Sequence, residues 1–103
     1  MIDYEGAPQA AGALELRLAT VTFPLTRDDE TEICTRVFEY AGALKDIGMP
    51  PERVIVAVKR VAEAAGIRST RRIAWRGEPL AGRDKLLVDM VVWSIARYYQ
   101  PAG

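Results

Sequence analysis

The chain has 103 residues, half of them apolar and 27% charged, with 14 acids balancing 14 bases, one cysteine and no histidine. This is the composition of one globular domain, long enough to bury roughly 60–68% of its unfolded surface without a disulfide or metal staple. It lacks both a ~20-residue apolar run and a basic-then-apolar leader, and Cys34 has no second cysteine to pair with, so the expected location is cytoplasmic.

In chain order, Met1 to Ala13 is rich in Gly, Ala and Pro without a period and is expected to be a flexible tail. "LELRLATVTF" follows. Leu14, Leu16 and Leu18 alternate with Glu15, Arg17 and Ala19, the period of a strand, and Pro24 ends the segment. An extended stretch over 14–24 needs a pairing partner, either "RRIAWR" or the same strand in a second subunit.

A first helix is expected over 27–48. Thr26 with Asp28 and Asp29 offers a cap and first-turn carboxylates that suit the positive end of the helix dipole. Ile33, Val37, Tyr40, Ala41, Leu44 and Ile47 fall on one stripe, with Glu32, Glu39 and Asp46 opposite. Gly48, Pro50 and Pro51 stop it. A second helix, 51–65, starts at Pro51 and presents Val54, Val58, Val61 and Ala65, widened by Ile55, Ala57 and Ala62.

The third expected helix, 82–99, is apolar nearly all round. Leu87, Met90, Val91, Ser94, Ile95 and Tyr98 make one face, and only Lys85, Asp89 and Ala96 define a weakly polar edge. Such a helix has to be covered on most sides, either by the N-terminal extended segment or by a second subunit; the favoured expectation is a homodimer with Leu86, Met90, Trp93, Tyr98 and Tyr99 in the interface. The expected fold is therefore all-α: a small three-helix bundle with an N-terminal extended segment, in an intertwined dimer if that segment is exchanged.

Charge is unevenly placed. Residues 1–50 hold nine acids and four bases, and residues 51–103 hold ten bases and five acids. The densest basic stretch contains Lys59, Arg60, Arg68, Arg71, Arg72 and Arg76, with Trp75 among them. Part of it, "VAEAAGIRST", resembles the first half of the helix-turn-helix of bacterial repressors. Ala62 stands where that family's alanine faces the second helix, Gly66 makes the turn and Ile67 is the apolar residue after it. The resemblance implies a recognition helix with Arg68, Ser69, Arg71 and Arg72 against bases or phosphates and Arg76 on the backbone. The pattern departs six places after Gly66, where an apolar residue is required and Arg72 stands; Ile73 comes one place late, which is 100° round a helix. Trp75, nine places on, fits. Read without the family, Gly66 ends a helix in a left-handed cap and "RRIAWR" is a loop or short strand.

Catalytic signatures are absent. Without histidine there is no Ser-His-Asp or Cys-His pair and no HExxH zinc site; one cysteine excludes CxxC; no GxGxxG or GxxxxGK[ST] occurs. Asp28, Asp29, Glu30 and Glu32 are better explained as a solvated helix start than as magnesium ligands, and Cys34 as a small buried hydrophobe than as a nucleophile. The sequence is read as a non-enzyme without cofactor or metal: a protein-binding adaptor or regulatory module, dimeric, meeting an unidentified protein through Arg68, Arg71, Arg72, Trp75 and Arg76. The alternative is a DNA- or RNA-binding regulator using the same arginines.

Overall fold

The computed structural model describes residues 7–67 and 82–100. Four helices, rather than three, make up the described chain: α1 Pro8–Ala19, α2 Arg27–Asp46, α3 Pro51–Ala64 and α4 Gly82–Tyr98. α2 and α3 touch each other, and each packs on both α1 and α4, while α1 and α4 do not meet. The result is a four-helix bundle with α1 and α4 on one diagonal.

The extended segment expected over 14–24 is a correction: among the described residues there is no strand, and 14–19 belong to a helix that begins inside the expected tail. Leu14 and Leu18, two members of the alternating set, are also one helical turn apart, and Ala11 extends their spacing backwards by three. These three are buried, whereas Leu16 is 70% exposed. Both periods fit the leucines, but Ala, Leu, Glu, Gln and Arg are strong helix formers, and the groove between α2 and α3 accepts a helical stripe. Pro8 opens α1 at a position that needs no N–H.

α2 begins as its sequence suggests. The Asp29 N–H donates to the Thr26 hydroxyl and the Thr26 N–H to the Asp29 carboxylate, each at 3.0 Å, a reciprocal capping box. Asp29 also accepts from Arg17 of α1 at 2.5 Å, and Glu32 pairs with the same guanidinium, so the start of α2 anchors the end of α1. Ile33, Val37, Tyr40, Ala41 and Leu44 are buried as expected; Ile47 is not, because the helix ends at Asp46 and the chain turns away.

α2 and α3 end alike. Gly48 at φ +85° and Gly66 at φ +91° take the left-handed conformation that L side chains resist. Gly48 N–H donates to Lys45 O at 2.9 Å and Met49 N–H to Leu44 O at 3.1 Å. The second pair repeats this: Gly66 to Glu63 at 3.0 Å and Ile67 to Ala62 at 2.8 Å. Both are Schellman caps, and the residue after each glycine, Met49 or Ile67, is folded back into the core. The cap accounts for Ala62, Gly66 and Ile67 as fully as the repressor pattern does. The proposed recognition helix itself lies outside the described residues. Among the described residues, no helix is long and apolar enough to cross a membrane.

Candidate functional site

The site is built on α4, a helix whose two sides have different work. Leu86, Met90 and Ser94, spaced by four, are buried against α2 and α3. Ser94 is the one polar residue fully buried among the described residues, and its hydroxyl donates to the Met90 carbonyl at 2.8 Å, leaving no orphaned group. Farther along, the Arg97 guanidinium lies over Gly42 of α2, so close that a Cβ there would come within 2.8 Å of Nη2. The Tyr98 hydroxyl donates to the Met49 carbonyl at 2.9 Å, tying α4 to the turn between α2 and α3. Lys45 Nζ stands 5.4 Å from the Tyr98 ring, whose edge meets Tyr99 at 5.3 Å.

The opposite side is apolar and open. Val88, Val92, Ile95 and Tyr99 are 46%, 54%, 39% and 66% exposed. Their spacing of four, three and four places them in one row directly across the helix from Met90. Lys85, the next residue of the row, is held by Asp89 one turn on at 2.7 Å, which bends its charge to the margin. At that end a cleft of about 250 Å³ opens between Phe23, Leu25, Glu30, Lys85, Leu86 and Asp89. It falls below the ~300 Å³ from which small-molecule pockets start.

The sequence placed the inward face of this helix about one residue round from where it sits. Ile95, expected on the inner face, is exposed, and Leu86, outside the expected inner face, is buried. Among the five residues assigned to a dimer interface, Leu86 and Met90 are enclosed within their own chain, Trp93 is half-buried against the core, and Tyr98 holds Met49; Tyr99 alone belongs to the open row. An interface through α4 has to use the outward side. Val88, Val92 and Ile95 were missed as a set, although a 3-4 repeat through residues 85, 88, 92, 95 and 99 stands in the sequence. Arg68, Arg71, Arg72, Trp75 and Arg76 lie outside the described residues.

Two of the acids at the start of α2, Asp29 and Glu32, hold α1 through Arg17. The Thr26 N–H, the capping geometry and Arg17 hold the Asp29 carboxyl below its ordinary range. Burial pushes the Cys34 thiol up, away from the thiolate that a nucleophile needs. Among the described residues no three His, Cys, Asp or Glu side chains are grouped to hold a metal ion. No family model, no curated protein and no solved structure matches the chain.

Proposed function

We propose that the chain is a small non-catalytic module that acts by binding protein, as a homodimer joined through the outward face of α4. One observation carries this reading: a helix already seated on α2 and α3 presents a second, unbroken apolar row to solvent. Single exposed apolar residues are ordinary on protein surfaces; a continuous row along one helix supports an association surface, of a size at the upper end of what a monomer exposes. A row on one straight helix is also self-complementary, because a two-fold axis lays it on its own copy. The four side chains offer a few hundred Å², less than the ~800 Å² per partner of a standard interface, so the affinity belongs to the weaker, concentration-dependent class. The arginines from Arg68 to Arg76, by their chemistry, suit an acidic partner surface beyond the dimer.

Sedimentation equilibrium from micromolar to several hundred micromolar tests it. Wild type is expected to show a monomer–dimer equilibrium, and Val92→Glu to weaken it at least tenfold, since a carboxylate would be buried in the centre of an apolar seam. A wild type that stays monomeric at the highest concentration, or a Val92→Glu variant that dimerises equally well, would overturn the proposal.

A further inference from the structure

We propose that α1 is a strap: it closes the groove between α2 and α3, and it opens as one unit while α2, α3 and α4 stay folded on one another. The way the helices pack allows this. α2, α3 and α4 each touch the other two, so that trio keeps all its mutual contacts when α1 leaves, whereas α1 touches α2 and α3 alone. What seats α1 is small: the stripe of Ala11, Leu14 and Leu18, and the guanidinium of Arg17 on Asp29 and Glu32 of α2. Toward the C-terminus the opening is bounded by Phe23 and Leu25, which pack on the core.

Off the core, the helix has little to hold it together. It is 12 residues long, and isolated helices shorter than ~12–15 residues are marginal in water. Its N-cap is Ala7, which makes no side-chain cap bond, and its first turn holds no acid to meet the helix dipole. α2, by contrast, starts on the Thr26–Asp29 box with Asp28, Asp29 and Glu30 in its first turn. Gly12 adds to the contrast. Glycine is among the poorest helix formers, yet a Cβ at this position would meet nothing within 4 Å, so no close approach of another element requires it. Undocking and unfolding of α1 are therefore a single event, and its amides open together. That event bares an apolar groove one helix wide, with Asp29 and Glu32 at its end released from Arg17.

Native-state hydrogen exchange of the full chain at low urea, read by mass spectrometry, tests the strap. The hydrogen-bonded amides of α1 are expected to exchange roughly tenfold or more faster than the slowest amides of α2, α3 and α4. Their exchange should also respond less to urea, because the opening exposes only part of the molecule. Gly12→Ala should slow the exchange of α1 by about fivefold. Met90→Ala, at the seat of α4, should speed the slowest amides of α2, α3 and α4 and leave α1 unchanged, since the opened state keeps that contact. An α1 that shares the rate and urea response of the other helices, or that Met90→Ala speeds in proportion to them, opens only with the whole molecule and overturns the proposal. Exchange of α1 at the rate of a free peptide overturns it from the other side, because no closed state would exist. An unchanged α1 rate in Gly12→Ala overturns it too, since the helix would not unfold on opening. Should Met90→Ala fail to fold, the urea response of wild type decides alone.

Discussion

Replacing Leu14 by Ala tests the least expected element, the helix at the N-terminus. Leu14 is fully buried in the middle of α1, between Ala11 and Leu18 on the stripe that packs on α2 and α3. Truncating a buried leucine removes about three carbons from the core and leaves a cavity, which costs ~2–5 kcal/mol. Leu16, two residues on and 70% exposed, supplies the control. Its change to Ala removes no buried contact and replaces one good helix former by another, so the expected effect lies within ~0.5 kcal/mol. Against a total stability of roughly 5–15 kcal/mol, the first variant should be plainly weakened and the second unchanged. At about 4–8 °C per kcal/mol for a domain of this size, the melting temperatures should separate by at least ~8 °C. Urea denaturation followed by far-ultraviolet circular dichroism gives both values. Equal losses in the two variants, or a loss under ~1 kcal/mol for Leu14→Ala, would refute α1 as a docked helix. They would return residues 14–18 to an extended or loosely held segment.

Acid should loosen the junction of α1 with α2. Asp29 has its folded pKa held below the ordinary 3.8, so its contribution is complete above that value and is lost as pH falls through the lower folded one. Wild type should therefore lose more stability between pH 5 and pH 2 than an Arg17→Met, Asp29→Asn variant, and parallel pH profiles in urea melts would count against the coupling. Gly66→Ala should cost about 1–2 kcal/mol, because a Cβ has open space there but the backbone holds φ at +91°; a neutral change would mean that the cap is not left-handed. For the arginine segment, fluorescence anisotropy with labelled duplex DNA, single-stranded DNA and RNA is expected to show no saturable binding near physiological salt. Binding that falls steeply with salt and disappears in an Arg68, Arg71, Arg72 triple alanine variant would replace the protein-binding reading with a nucleic-acid one.

What the sequence determined by itself is local. The Thr26 cap with its first-turn acids, the proline opening α3, and the glycines closing α2 and α3 act within a few residues of their own backbone, so their marks can be read without knowing the fold. The inward stripes of α2 and α3 were legible for a related reason: charged residues occupy their outer sides and leave one orientation. Two matters had no such local mark. Leu14, Leu16 and Leu18 satisfy a period of two and, through Leu14 and Leu18, a helical turn; the groove of α2 and α3 selected the turn and left Leu16 outside. α4 is apolar on nearly every side, so burial energy alone favours no rotation. Packing chose it: Leu86, Met90 and Ser94 fit against α2 and α3, Arg97 lies over Gly42, and Tyr98 reaches the Met49 carbonyl. Once that side is seated, Val88, Val92, Ile95 and Tyr99 face away from α2 and α3, and among the described helices no other packs on α4.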